Sequence, residues 1–407
     1  MLIKTLFIPD YSIIVLILPI RETFVNAFLL STRSNGTLMK NILITGSTGF
    51  LGGAVVASLL QNRVKDRLLL LVRDESVEGG LRRLKANLKN FGLNESLINM
   101  IAQENILLGD LALTENFITD PRINDVTHVI NCAAVASFGN NPSIWKVNVD
   151  GTFQFAERMS RVAGLKKFIH VGTAMSCAPE PGSLVTEREP GSHREQHIVE
   201  YTWSKASIEK LMTEKLPGLP LVIARPSIVI GHSDQGCLPS ASIFWVFRMV
   251  LALGKFTCDL DDRIDVIPVD YCAEALVLLL DAEEVINEVI HISAGTQSSV
   301  TFAEIDEAMA KASGSRALGV NYQKVSFKQL SDSRRTFKDL FGPCNERIML
   351  RAMNLYGHFS NLNVVFDNSK LLQLGMNKPS RFTDYLDRCV LTTRDSTIAE
   401  LMQVDFK

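Results

Sequence analysis

NILITGSTGFLG, residues 41–52, is a short apolar run that breaks into glycines at 46, 49 and 52 and then resumes with helical spacing through Asn62. A buried parallel strand reads as a continuous apolar stretch of this length. Asn41–Thr45 is therefore predicted as a strand and Phe50–Asn62 as the helix after it. Gly46 permits the tight turn between them. Gly49 removes a side chain where a phosphate would approach, and Gly52 lets helix and strand pack closely. The helix then offers free N–H groups and a partial positive charge at its amino end. In this strand–turn–helix context the loop is predicted to hold a dinucleotide pyrophosphate, with Gly46, Thr48, Gly49, Phe50, Leu51 and Gly52 around it.

Outward from this loop the same alternation continues. Predicted strands are Arg67–Val72, Asn105–Leu108, Thr127–Cys132, Lys167–Val171 and Leu221–Arg225. Predicted helices are Leu81–Asn90, Ile144–Val162 and Tyr201–Glu214. Short strands alternating with helices imply βαβ units. The fold class is α/β, a Rossmann doubly wound parallel sheet, with a smaller C-terminal substrate-capping region. After Pro226 the order loosens into a Gly/Ser/Pro-rich stretch, Gly231–Ser242. Ile264–Pro268, Tyr271–Leu280 and Val289–Ser293 then read as strand, helix, strand, and Thr301–Ala312 as a helix. Beyond Val325 the pattern is mixed, and the capping region is expected to end near Tyr385. The expected division is a dinucleotide-binding domain over 39–295, with a substrate-region insert at about 231–262, and a capping region and tail over 296–407.

Residues 1–38 are read as an N-terminal extension upstream of a start at Met39. Their apolar run YSIIVLILPI, residues 11–20, is ten residues long, against about 20 needed to span a bilayer, and it lacks the layout of a signal peptide. The other reading is a membrane-surface anchor. No integral membrane span is expected. The 407 residues are 46% hydrophobic and 21% charged, with 42 basic and 44 acidic side chains. That balance excludes the basic field of a nucleic-acid binder. Seven scattered cysteines form no C-x-x-C pair, which points to free thiols in a reducing, cytoplasmic setting, at most peripheral to a membrane. No metal-ligand cluster is evident, so no metal is expected.

Cofactor and chemistry follow from a few positions. An NAD site places an acid at the end of the second strand to bond the ribose 2′-OH. Here Arg73 follows Val72, and Arg82 or Arg83 on the next helix can add charge. A guanidinium there suits a 2′-phosphate, so NADP(H) is predicted. Tyr201 and Lys205 stand at i and i+4 on one helix face. A nearby ammonium is expected to lower the tyrosine pKa, and Tyr201 can then deliver a proton to a carbonyl oxygen. Thr173, just past the fifth strand, can hydrogen-bond the same oxygen. Asn148 and Asp110 read as cap or turn residues, and His193 and His197 as loop residues. The apolar stretch Ala241–Leu253 reads equally as acyl groove or helix core.

TGSTGFLG (45–52), GDL (109–111), NCAA (131–134), NVDGT (148–152), VGTAMS (171–176), YTWSK (201–205) and ARPSIVIG (224–231) follow one another in an order that resembles the extended short-chain dehydrogenase/reductase superfamily. LVRDES, NCAAVASF and VIPVDYCAEAL make the chain most similar to the male-sterility-type group of thioester reductases and fatty acyl-CoA reductases. The resemblance implies a Thr173–Tyr201–Lys205 active-site triad, with Lys205 also on the nicotinamide ribose. It implies Gly46, Gly49 and Gly52 at the pyrophosphate, Asp110 and Leu111 near the adenine, Ala133 lining the cofactor and Asn148 as a structural neighbour. It implies NADPH-dependent reduction of an acyl thioester, presented as acyl-CoA or on a carrier protein, to aldehyde or alcohol. Gly172 departs from the serine of many relatives. Two other readings use the same loop: a sugar-nucleotide epimerase or dehydratase, or sterol or ketone dehydrogenase, with the same triad, and a non-catalytic NADP-sensing protein.

Overall fold

The computed structural model describes residues 39–139, 141–187, 191 and 193–405. The expectation of an upstream extension, residues 1–38, lies outside the described residues. Seven strands pair in parallel: β1 Asn41–Thr45, β2 Arg67–Val72, β3 Ile106–Leu108, β4 His128–Asn131, β5 Lys167–Val171, β6 Leu221–Pro226 and β7 Val289–Ile292. Their order across the sheet is β7-β6-β5-β4-β1-β2-β3. The chain winds outward from β1 to β3, returns across β1, and winds the other way from β4. That reversal opens a crevice outside the carboxyl ends of β1 and β4, where ligands of doubly wound sheets sit.

Each central strand is apolar on both faces because helices cover both. Ile42, Ile44, Ile130 and Ile169 point into one layer with helices α1 (Phe50–Asn62) and α2 (Val77–Lys89). Leu43, Val129 and Phe168 point into the other, with α3 (Thr152–Ser160) and α4 (Glu200–Lys215). The long helix predicted over 144–162 is not uniform. Lys146–Gly151 winds as a π-helix before α3 begins. Any side chain at Gly151 would strike Leu111 O, so this wide turn is where the helix meets the loop after β3. Such bulges mark functional sites often.

After β6 the chain leaves the sheet and builds a second packing layer. α5 (Phe244–Leu253) lies at its centre, and α6 (Val269–Leu279) returns to the sheet before β7. α7 (Phe302–Ser313) starts one residue later than predicted, because Thr301 is its N-cap, in a capping box with Glu304. The region beyond Val325, unreadable as sequence, contains α8 (Glu346–Ser360), α9 (Phe382–Thr393) and α10 (Ile398–Asp405). Helical packing therefore continues past Tyr385. α5 is buried on two sides. Trp245 and Met249 pack with Met349, Met353, Leu401 and Met402, while Phe244 and Phe247 pack with Ile305, Met309, Phe382 and Tyr385. At about 1.5–3 kcal/mol for each large apolar side chain buried, this double contact fixes α5 firmly. Among the described residues no helix is long and apolar enough to cross a membrane.

Candidate active site

The loop after β1 is held by its neighbours on both sides. Thr45 Oγ1 donates to Asn131 Oδ1 at 2.6 Å and accepts from Ala133 N at 3.0 Å. Ser47 Oγ donates to Leu71 O at 3.0 Å. Gly46 has φ +69°, and a Cβ there would lie 2.8 Å from Ala133 N. A Cβ at Gly52 would run into Gly46 O. Only glycine satisfies both positions. The first helical residues find no side-chain cap at Gly49, so the N–H groups of the α1 terminus face the crevice unpaired by a cap. A cradle of bare backbone at a helix N-terminus fits a dinucleotide pyrophosphate.

At one end of the crevice the charges gather. Arg73 Nη1 stands 3.7 Å from Asp110 Oδ2 and remains mostly exposed. Arg83, rather than Arg82, turns into the cleft. It donates from Nη2 to Thr48 Oγ1 at 2.8 Å and from Nη1 to Arg73 O. Two guanidinium groups and the Thr48 hydroxyl thus converge beside the glycine loop. Asp110 Oδ1 accepts from Ala112 N at 2.9 Å, which shapes the turn after β3.

At the other end lie Thr173, Tyr201 and Lys205. Lys205 is buried, and its Nζ donates to Val171 O at 2.6 Å. Burial pulls its pKa down to about 8, against the attraction of Glu209 and Cys132. The expected lowering of the Tyr201 pKa is corrected by the structure. Burial, aided by the negative charge of Glu209, pushes the phenol up to about 12. Desolvation of the phenolate is the larger cause, and the Lys205 ammonium does not offset it. Tyr201 therefore keeps its proton at neutral pH. Thr173 lies two residues past β5 and caps the turn that follows, accepting from Met175 N at 3.3 Å. Asn148 holds the Val135 backbone at both N–H (2.7 Å) and C=O (3.1 Å), and donates to Ser204 Oγ at 3.0 Å. It ties the π-helix to α4 beneath the site.

One cleft of about 580 Å³ brings all of these together. Gly46, Thr48, Gly49, Phe50, Leu51, Gly52, Arg73, Asp110, Leu111, Ala133, Thr173, Tyr201 and Lys205 all line it. Asn148, His193 and His197 do not; His197 is buried with Nδ1 3.2 Å from Thr202 Oγ1. Beside the cleft lies a narrow apolar cavity of about 70 Å³, and Ile228, Ile243, Tyr356 and Phe359 border both. α5 both packs as core and lines that cavity, through Val246, Phe247 and Val250.

A family model described as male sterility protein, an NAD-binding family, matches residues 44–276. The chain belongs to that family. Among curated proteins, this male-sterility-family chain is 24% identical to probable fatty acyl-CoA reductase 5 of Arabidopsis thaliana, over 66% of this chain and 69% of that protein. It is 26% identical to a linear gramicidin synthase polypeptide of Brevibacillus parabrevis over 82% of this chain, but spans only 6% of that much longer protein. The terminal R domain of the myxalamid PKS-NRPS pathway has the same fold, with TM-score 0.70 at 22% identity over 87% of this chain and 90% of that one. The NAD-bound UDP-glucuronic acid 4-epimerase of Bacillus cereus aligns with TM-score 0.56 at 18% identity, over 90% and 99% of the two chains. This family member therefore carries an NAD-binding domain, in a fold shared with a reductase domain and an epimerase.

Sequence reasoning missed the ion pair beneath the triad. Glu209 Oε2 accepts from Arg225 Nη2 at 2.7 Å and Nε at 3.1 Å, with both side chains fully buried. Ser176 Oγ lies 3.3 Å from both carboxylate oxygens. A side chain at Gly172 would collide with Glu209 Oε1, which accounts for glycine at that position. The signal was present: Glu209 extends the Tyr201–Lys205 spacing by four more residues. Phe138, Tyr356, Phe359 and Asp405, which also line the cleft, carried no such pattern, because three of them come from the unreadable C-terminal part.

Proposed function

We propose that this chain reduces an acyl thioester with NADPH, giving an aldehyde or alcohol. The observation that carries the reading is the apolar cavity that adjoins the Tyr201–Lys205 cleft and shares Ile228, Ile243, Tyr356 and Phe359 with it. An alkyl chain would be buried there without leaving hydroxyls unpaired. A sugar nucleotide would bring several hydroxyls against Ile228, Ile243 and Phe359, and each unpaired one costs about 1–3 kcal/mol. The Arabidopsis relative's name, a fatty acyl-CoA reductase, and the R-domain fold support the same reading.

The glycine loop and the α1 terminus would hold the pyrophosphate, with Ala133 beside the cofactor and Asp110 and Leu111 toward the adenine. Arg73 and Arg83, with Thr48, would take the 2′-phosphate, which is why NADPH is preferred over NADH. Bound nicotinamide supplies a hydride to the carbonyl carbon. Thr173 and Tyr201 would donate hydrogen bonds to the developing oxyanion. Collapse of the tetrahedral adduct would break the C–S bond and free the aldehyde and a thiolate, which takes its proton from solvent. In a second reduction Tyr201 would give its proton to the alkoxide. Lys205 would hold the ribose and keep positive charge beside Tyr201. Residues 231–262 and 296–407, around α5 and α8, would cover the acyl group as the capping region. The thioester would arrive as free acyl-CoA or on a carrier protein; a thiolation-reductase di-domain from an archaeal synthetase shares the fold, with TM-score 0.67.

A panel of acyl-CoAs, nucleotide sugars and ketones, followed by NADPH absorbance and by chromatography of the products, tests the reading. Turnover of acyl-CoA alone is the expected result. Turnover of a nucleotide sugar with no thioester consumption would overturn it.

A further inference from the structure

On the substrate side of the cleft three rings meet. Phe138 lies 5.2 Å from Phe359 and 5.4 Å from Tyr356, centroid to centroid, and reaches Tyr201 at 6.2 Å. Trp245 stands edge-on behind Tyr356 at 5.4 Å. Into this wall comes Asp405, from the end of α10. Its Oδ2 accepts from Trp245 Nε1 at 2.8 Å and from the Tyr356 hydroxyl. Both donors are neutral. Among the described residues no lysine or arginine pairs with Asp405 and no donor reaches Oδ1. The acid in the adjoining cavity differs: Asp306 has both oxygens taken, by Leu318 N at 3.0 Å and Gly319 N at 2.9 Å. The other charged residues lining the cleft, Arg73, Arg83, Asp110 and Lys205, serve the cofactor loop and the triad.

Asp405 is half-buried at the cleft wall, and a carboxylate partly withdrawn from water without a cation is costly to hold. Burial accordingly raises the Asp405 carboxyl above its ordinary range, against the two donors. Phe138, Tyr356 and Phe359 line the cleft beside it, and aromatic rings attract ammonium groups. We propose that Asp405 and this ring cluster form a subsite for a protonated amine carried on the acyl group of the substrate. The inference rests on the thioester reading. It deepens that reading: the enzyme selects amine-bearing acyl thioesters over alkanoyl thioesters of the same length, the alkyl portion taking the apolar cavity.

The test uses pantetheine thioesters in isosteric pairs, β-alanyl against butyryl and 6-aminohexanoyl against heptanoyl, with kcat/KM measured for each at neutral pH. The expected result is at least about a tenfold preference for the amine member of one pair. Asp405→Asn keeps an oxygen for Trp245 and Tyr356 but removes the charge, and should bring that ratio to about one. Asp405→Glu, retaining the charge, should keep a preference. A wild-type ratio of one, or a ratio unchanged in Asp405→Asn, overturns the inference and leaves the thioester reading standing. Consumption of neither member of any pair removes both.

Discussion

Tyr201 and Lys205 are shifted in opposite directions by one cause. Burial raises the phenol to about 12 and lowers the ammonium to about 8, because it penalises whichever form is charged. The consequence for pH dependence follows from the sign. Reduction needs Tyr201 as the phenol and Lys205 as the ammonium. The phenol stays protonated throughout the neutral range, so activity should be lost as pH rises through about 8, where Lys205 gives up its proton. A kcat/KM profile flat through that pH would contradict the assignment. Tyr201→Phe should lower kcat by roughly 10²–10⁴-fold, the usual worth of a positioned acid, with NADPH binding retained in a fluorescence titration. Glu209 acts beneath both groups. Glu209→Gln leaves Arg225 without its carboxylate and should cost about 3–5 kcal/mol, read as a fall in Tm. The paired change Glu209→Gln/Arg225→Met should recover much of that loss. It should also move the alkaline limb to lower pH, since the Glu209 charge supports the Lys205 ammonium.

At the scale of elements, the strand–loop–helix unit at 41–62 was legible because its geometry is local. Gly46 needs a left-handed turn and Gly52 needs contact with a backbone carbonyl, and both demands are written in the residues themselves. Gly46→Ala forces a Cβ into a positive φ and against Ala133 N, and should weaken NADPH binding more than tenfold by itself. Arg83 was only half legible. Its helix was clear, yet the choice between Arg82 and Arg83 depends on which face of α2 meets Thr48. With Arg73 at the strand end it forms a two-sided cation clamp. Arg83→Ala should raise KM for NADPH roughly tenfold or more, the worth of one charge-assisted hydrogen bond, while KM for NADH stays within about twofold. Equal loss with both cofactors would place Arg83 outside the phosphate site. The π-helix at 146–151 was not legible, because it answers to Leu111 O across the fold and not to its own periodicity.

Across the whole molecule, the parallel sheet between helices followed from alternation, and the strand order and the helices over the substrate side did not. α5 looked like either core or groove, and it is both, because a helix buried on two sides can still give one edge to a cavity. α8 and α10 were hidden for a related reason: their apolar residues pack on α5, far away in sequence, and only that partner makes sense of them. Met402, buried between α10 and α5, should cost about 2–5 kcal/mol when cut to alanine. Because α10 also delivers Asp405 to the cleft, the loss should appear in substrate KM as well as in denaturant midpoint. The central claim is hydride delivery to a thioester carbonyl at Tyr201. It is tested most directly by supplying an acyl-CoA with NADPH deuterated at the transferable position and analysing the product by mass spectrometry. The account predicts deuterium on the former carbonyl carbon of the aldehyde or alcohol and free CoA in equal amount to the first hydride consumed. Unlabelled product, or NADPH that survives while a substrate is converted, would contradict it.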